Sequence, residues 1–395
     1  MFWLLFEFGP LLIWLGMLVV VVRPLGLGRL GQWTLSLILL ALTQKFLIYR
    51  IFGGSAFVPD LPEGLIHATG WTYSSCMILF VLSFICWLAH GLYALLRRDR
   101  PHNPSSVSRI RRQTALLAVV SAALAGWGIW EGVRVPHVRT VDVEVPGLPK
   151  AFEGFRIVHL SDLHCSPAAR RMRTQRIVET VNGLQPDLVC ITGDFVDGSV
   201  AQRLDDLAPL KGLRAAQGVF GCAGNHEYYS DYAQWKPALE SLGVRMLDNA
   251  HRTISRGAGE IVLGGVTDVA AWNNGRCVME GPDVAKAFEG APTNACRILL
   301  RHRPDDIAEQ IRNQVRLQLS GHTHGGAILG IDRLVKRANE GHVRGLYRAG
   351  SLTLHVSPGT GQWAGFPLRL GVPAEITELR LHVPAAPPTS AGRSP

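Results

Sequence analysis

The sequence predicts a helical membrane region followed by an α/β domain, on three observations. Long apolar stretches are confined to the first third of the 395 residues. From about Val141 onward, short apolar runs alternate with stretches of helical periodicity and Gly-rich turns. Residue types able to bind metals recur where successive apolar runs stop.

A helix needs about 20 mostly apolar residues to cross the hydrocarbon core of a bilayer. Four segments qualify, residues 2–22, 30–52, 71–96 and 114–130. The first and third are long and continuous, and the fourth is short but nearly free of polar groups. Gln44, Lys45 and Arg50 interrupt the second, a pattern that fits a full span or a re-entrant loop. The first does not read as a cleaved signal peptide, because no basic residue precedes it and it carries Glu7. The predicted transmembrane region is residues 1–135 and the predicted α/β domain 141–383. Residues 384–395, rich in Pro, Ala and Ser, have little to bury and read as a disordered tail.

The formal charge of +9 raises the question of nucleic-acid binding, and its distribution argues against it. Residues 1–139 hold 12 basic and 5 acidic side chains, so the remainder is nearly neutral. Arg97, Arg98, Arg100, Arg109, Arg111 and Arg112 flank a polar loop between the third and fourth apolar stretches. Positive-inside sorting concentrates charge in such loops, whereas a phosphate backbone needs a basic face. Arg23 and Arg29 in the first loop agree, and the second loop contains Asp60 and Glu63. The third loop is therefore predicted to be cytoplasmic, which carries the α/β domain to the other side of the membrane.

In the second part, Phe155–Leu160, Leu188–Thr192, 219–223, 261–266, 298–300 and 317–319 are short apolar runs that read as strands. Met172, Ile177, Val178, Val181 and Leu184 recur at helical spacing, as do Ile307, Ile311 and Val315, and these stripes read as core faces of covering helices. Five of the seven cysteines (Cys165, Cys190, Cys222, Cys277, Cys296) lie here without a short paired spacing, so no disulfide framework is implied. Cys190 and Cys222 fall inside apolar runs and read as small buried hydrophobes.

The ends of these runs carry the chemistry. Asp162 and His164 follow the first as Ser-Asp-Leu-His, and Asp194 and Asp197 follow the second in Gly-Asp-Phe-Val-Asp-Gly. Asn225, His226 and Glu227 follow the third as Gly-Asn-His-Glu. His302 lies in Leu-Leu-Arg-His-Arg-Pro, and His322 and His324 in Gly-His-Thr-His-Gly-Gly. A single Asp at a strand end is as well explained as a turn former or helix cap, and a single His as a hydrogen-bonded structural residue. Five successive strand ends of this kind are not. Mixed imidazole and carboxylate donors suit Fe, Mn, Zn or related ions, and two such ions about 3.5 to 4 Å apart can clamp a phosphoryl group. His159 alternates onto the face opposite Leu160 and reads as structural.

The order Asp-x-His, Gly-Asp, Gly-Asn-His-Glu, His, Gly-His-x-His resembles the calcineurin-like metallophosphoesterase superfamily over residues 155–326. Gly345-Leu346-Tyr347 and the stretch 357–375 resemble its membrane-associated branch of bacterial phosphodiesterases, which includes enzymes related to UDP-diacylglucosamine hydrolases. The resemblance implies a four-layer α/β/β/α sandwich, two packed sheets with helices outside. It implies two divalent or trivalent metal ions, one held by Asp162, His164 and His324, the other by Asn225, His302 and His322, with Asp194 bridging. A hydroxide activated by both ions would then attack phosphorus without a covalent enzyme intermediate. His226 would be the catalytic group that protonates the leaving oxygen, with Asp197 orienting it and Glu227 supporting the loop. Gly198 stands where phosphoprotein phosphatases of the superfamily carry a phosphate-binding Arg, which argues against a protein phosphatase. The expected substrate is a phosphodiester or phosphomonoester, lipid-linked or nucleotide-containing, and the expected setting is a bacterial cytoplasmic membrane, whose lipids surround the anchor, with the domain outside. The alternative is a non-catalytic membrane sensor that uses a degenerate domain for binding.

Overall fold

The computed structural model describes residues 2–96, 105–273 and 279–384. Arg97, Arg98 and Arg100 of the arginine-flanked loop, Cys277 and the predicted tail beyond Pro384 lie outside the described residues. The chain forms two compact units, one from Met1–Val133 with Ala364–Leu370, the other from Arg134–Trp363 with the residues from Gly371 onward.

In the helical unit, Phe2–Met17 continues through Leu18–Val22, and Arg29–Thr43 is followed by Lys45–Phe52 with a bend of 57° at Gln44. Glu63–Leu96 and Ser105–Val133 complete it, both starting earlier than the predicted 71–96 and 114–130. Glu63 supplies a carboxylate to the first turn of its helix, where it complements the helix dipole. Among the described residues three helices are long and apolar enough to cross a membrane, and the bent pair is a fourth, broken span or a re-entrant loop. Leu30, Trp33, Leu92 and Val119 are more than half exposed, an apolar surface that suits lipid better than water.

Lys45, one of the interrupting residues, stands next to the bend and is buried. Its Nζ donates to the Gly365 carbonyl at 2.8 Å and lies 5.0 Å from the centre of the Tyr49 ring. Arg369 N donates to the Gly128 carbonyl at 3.0 Å, and Gly70 leaves room for Pro367, since a Cβ there would come within 2.9 Å of the proline ring. The segment Ala364–Leu370, predicted with the α/β domain from its sequence position, therefore packs with the helices instead.

Among the described residues the second unit has twelve strands: β1 (His137–Glu144), β2 (Phe155–Leu160), β3 (Leu188–Thr192), β4 (Val219–Cys222), β5 (Val244–Met246), β6 (Ala250–Arg256), β7 (Gly259–Gly265), β8 (Cys296–Leu300), β9 (Val315–Ser320), β10 (Gly345–Ala349), β11 (Leu352–Val356) and β12 (Glu375–His382). One sheet runs β1-β12-β2-β3-β4-β5 and the other β10-β11-β9-β8-β7-β6. Strands β2 to β5 are mutually parallel, as are β7, β8, β9 and β11. The C-terminal ends of each parallel set therefore open on one edge.

Alternation along the strands sorts the core into three layers. Phe155, Ile157, Leu188, Cys190 and Phe220 meet Ile261, Leu263, Ile298 and Leu317 between the sheets. Val158, Leu160, Val189 and Ile191 point the other way, against Ile177, Val178 and Val181 of the helix Arg171–Gly183 and Trp235 and Leu239 of the helix Tyr232–Ser241. Val262, Leu299 and Val315 pack outward on Val284, Ala287 and Phe288. The result is the expected four-layer α/β/β/α sandwich. The six predicted strands correspond to β2, β3, β4, β7, β8 and β9, with β7, β8 and β9 each beginning two residues earlier. Cys190 and Cys222 are free, buried thiols.

Candidate metal centre

The turns after β2, β3, β4, β8 and β9 bring all the predicted site residues except Asn225 and Asp197 into three groups of potential ligand atoms, each within 4.8 Å of one another. Asp162, His164 and His324 form the first, Asp194, His302 and His322 the second, and His164, Asp194 and His226 the third. Asp162, His164, Asp194, His322 and His324 all have positive φ, between 45° and 69°. Non-glycine residues avoid this region, and its repeated use at one place is local strain held by the surrounding fold.

Close backbone approach holds these turns together. Asp162 N donates to Gly193 O at 3.0 Å and His164 N to Asp194 O at 2.9 Å. At Gly321 a Cβ would collide with Ser161 and Asp162, so only glycine lets the turn after β9 meet the turn after β2. Glu227 does not face the ligand groups. Its carboxylate accepts from the backbone N–H groups of Asp194, Phe195, Val196 and Gly224 at 2.7 to 3.3 Å, which ties the β3 turn to the helix start at Asn225.

In the first group, Nε2 of His164 lies 3.0 Å from Nε2 of His324, and Oδ1 of Asp162 is 3.6 Å from Nε2 of His324. In the second, Nε2 of His302 is 3.1 Å from Nδ1 of His322 and 3.3 Å from Oδ2 of Asp194. The same Oδ2 lies 3.6 Å from Nε2 of His164, so one carboxylate oxygen faces both groups. Asp194 Oδ1 is held by the backbone N–H of His226 at 2.9 Å.

Asp197 stands behind two of the rings. Its Oδ1 lies 3.0 Å from Nδ1 of His164 and 2.6 Å from Nδ1 of His226. A ring that donates from Nδ1 to a carboxylate presents Nε2 as the functional nitrogen. Burial opposes the charge on Asp197, but the two imidazoles outweigh it and hold its pKa at about 2. Burial likewise opposes charge on His226 and His302. For His226, Asp194 and Asp197 raise the pKa to about 9; for His302, Asp194 and Asp162 raise it to about 10. His322 goes the other way, pushed well below the usual range by burial and by Arg303 and His302. The carboxylates that put a proton on His302 would equally favour a metal cation, with which that proton competes. Buried imidazole nitrogens converging on carboxylate oxygens fit first-row transition ions.

Asn225 Oδ1 lies 3.4 Å from Nη2 of Arg303. The sequence left the two arginines around His302 without a direction. Arg301 turns away to Asp305 and Asp306, whereas Arg303 turns in, held by Asp268 at 2.8 and 3.3 Å and 3.2 Å from Nε2 of His322. Asp268 follows the apolar run of β7 and thus obeys the same strand-end rule as the other site residues, but a lone Asp without a neighbouring His gave no reason to select it. Tyr229 and Trp363 flank His226, with ring centres 5.5 and 6.0 Å from the imidazole. Trp363 had no local signal.

The family model for calcineurin-like phosphoesterases matches residues 155–326, a span that contains all nine predicted site residues. A Danio rerio protein named as a transmembrane protein with metallophosphoesterase domain is 36% identical over 312 residues, covering 77% of this chain and 71% of that one. A Helicobacter pylori protein named as an uncharacterized metallophosphoesterase is 35% identical over 346 residues, covering 85% and 88%. A Campylobacter jejuni protein of the same description is 31% identical, covering 78% and 79%. The three apolar helices and the relatives named as transmembrane proteins indicate a membrane protein. Because the likeness to the Helicobacter protein runs through most of both chains and the family match takes in every strand end described above, the chain belongs to the calcineurin-like phosphoesterase family and is a phosphoester hydrolase.

Proposed function

We propose that this protein hydrolyses a phosphodiester or phosphomonoester at a site for two cations. Asp162, His164 and His324 hold one ion, Asn225, His302 and His322 the other, and Asp194 lies between them. The observation that carries this reading is the single Asp194 oxygen 3.3 Å from Nε2 of His302 and 3.6 Å from Nε2 of His164. Bound cations of the Mn, Fe or Zn type would lower the pKa of a water and neutralise phosphoryl oxygens.

The remaining work falls to side chains. His226, protonated on Nδ1 toward Asp197 and with its side chain 14% exposed, donates from Nε2 to the leaving oxygen in this reading. Arg303, braced by Asp268, presents a guanidinium to a phosphoryl oxygen and supplies charge where it develops. Tyr229 and Trp363 flank His226 and favour a substrate with a sizeable leaving group. The membrane anchor favours a lipid-linked substrate over a nucleotide-containing one, and the arginines around the third loop favour a catalytic unit outside the cytoplasm, in a bacterial cell across its cytoplasmic membrane.

The test is hydrolysis of bis-p-nitrophenyl phosphate by the detergent-purified full chain with Mn²⁺. Turnover that disappears in Asp194→Ala is expected, and equal turnover by both proteins would sink the proposal. A reporter fused to the C-terminus reads the orientation, and a cytoplasmic signal would reverse it.

A further inference from the structure

Five side chains form a single file from the layer between the sheets to Asp162. Nδ1 of His355 lies 2.9 Å from Nδ1 of His159, and Nε2 of His159 lies 2.8 Å from Oγ1 of Thr192. The Thr192 hydroxyl donates to Oγ of Ser161 at 2.9 Å, and the Ser161 hydroxyl donates to Oδ2 of Asp162 at 2.6 Å. None of the five residues is more than 1% exposed.

The carboxylate at one end gives the file a direction, because an ionised carboxylate only accepts. Ser161 directs its proton to Asp162 and accepts from Thr192. Thr192 has then used its own proton and must accept from His159, so His159 carries its hydrogen on Nε2 and accepts on Nδ1 from His355. Ser161 Oγ also lies 3.0 Å from the Thr192 carbonyl, but that oxygen already faces Nδ1 of His302 at 2.8 Å, and the shorter contact to the charged group takes the proton. Both rings are neutral in this arrangement, as their burial favours. Each bond polarises the next toward Asp162.

The setting makes a packing role insufficient. His159 and His355 meet in a layer whose other members include Phe155, Ile157, Leu188 and Cys190, where an apolar residue would avoid the desolvation of a polar ring. The file instead ends on the one oxygen of Asp162 that must be held still if the other is to bind. Ser161 donates to Oδ2 alone, the backbone N–H of His322 lies 3.1 Å from both oxygens, and Oδ1 is the atom that faces Nε2 of His324 at 3.6 Å and Nε2 of His164 at 4.0 Å. Thr192 also serves the other group, through its carbonyl and His302.

The geometry points to His159, backed by His355, as a positioning residue that acts through Thr192 and Ser161 to set the carboxylate of Asp162 for a cation. The inference rests on the reading of Asp162 as a metal ligand. Outer partners of this kind change metal affinity on the order of 10- to 100-fold.

The experiment strips the full chain in detergent with EDTA and titrates Mn²⁺, following the number and affinity of bound ions and the electron paramagnetic resonance spectrum. His159→Leu is expected to weaken one of two ions by about 10- to 100-fold, to replace the spin-coupled signal of an ion pair by that of a single ion, and to leave the melting temperature of the stripped protein unlowered. His159→Gln, which keeps a donor and an acceptor, should recover most of that affinity. Ser161→Ala should reproduce the loss without touching the inter-sheet core, and decides the matter should His159→Leu fail to fold. Wild-type affinity in either His159→Leu or Ser161→Ala would overturn the inference, as would a His159→Gln protein no better than His159→Leu. Equal weakening of both ions together with a lower melting temperature of the stripped protein would assign His159 to stability alone. A wild-type protein that binds no pair of Mn²⁺ ions would overturn the two-cation reading along with it.

Discussion

Nδ1 of His226 lies 2.6 Å from Oδ1 of the buried Asp197, the oxygen that also faces Nδ1 of His164 at 3.0 Å, so one carboxylate orients both rings. His164 turns its Nε2 to His324 at 3.0 Å and to Asp194 at 3.6 Å, whereas the close contact of His226 is the shorter one to Asp197, a carboxylate that keeps a proton on the ring. His226→Ala is therefore expected to retain both metal ions yet lose on the order of 100-fold or more in rate, most severely with poor leaving groups. Metal content and a leaving-group series measure this. Loss of an ion in that variant would make His226 a ligand instead.

Asp194→Ala removes the oxygen that faces both His302 and His164. The expected protein holds at most one ion and has no measurable diesterase activity, while its fold survives. Metal analysis alongside circular dichroism checks both halves.

Arg303 and Asp268 are joined at 2.8 Å, and the guanidinium reaches toward Asn225 and His322. A charge-assisted hydrogen bond is worth about 1.5–3 kcal/mol. Arg303→Ala should accordingly lower kcat/KM by roughly 10- to 150-fold without metal loss. Asp268→Asn should lower it less, since the guanidinium loses its brace and not its charge. Unchanged kinetics in Arg303→Ala would remove Arg303 from the substrate's path.

The buried pair His159 and His355 makes the second unit sensitive to acid. Burial pushes the pKa of His355 down to about 3, and burial together with His355 pushes that of His159 well below the usual range. An unfolded chain takes up these protons near pH 6.5, so stability is lost as pH falls below that value and continues to fall until the folded rings titrate. Each histidine contributes a slope of about 1.4 kcal/mol per pH unit in that window. The double variant His159→Gln, His355→Gln should flatten the fall of melting temperature between pH 6.5 and 4 in EDTA. An unchanged slope would show that the rings are already charged in the folded protein.

Much of this architecture is legible in the sequence because it depends on local pattern. Ile157 and Leu160 lie in a run whose length and composition already say strand, and the polar residues that end such runs stand at sheet edges wherever the sheet goes. Lys45 announces the break in the second apolar stretch for the same reason, since a charge interrupts a span at its own position. Strands β1, β5, β6 and β10 escaped because their residues are part exposed or short; β1, for instance, is mostly exposed, whereas β11 and β12 are largely buried and escaped because no chemical signature marks their ends.

By itself the sequence determined an apolar anchor, an α/β unit and a set of side chains able to bind metal in chain order, all properties of residues within a few positions of one another. Only the tertiary structure decided which oxygen of Asp194 faces two groups, that Asp197 serves His164 as well as His226, that Arg303 turns in and Arg301 out, and that His159 meets His355 at a separation of 196 residues. It also decided that Ala364–Leu370 packs among the helices. These are contacts between distant segments, and their geometry follows from sheet order, strand register and the close approach that a glycine such as Gly321 permits, none of which local periodicity encodes.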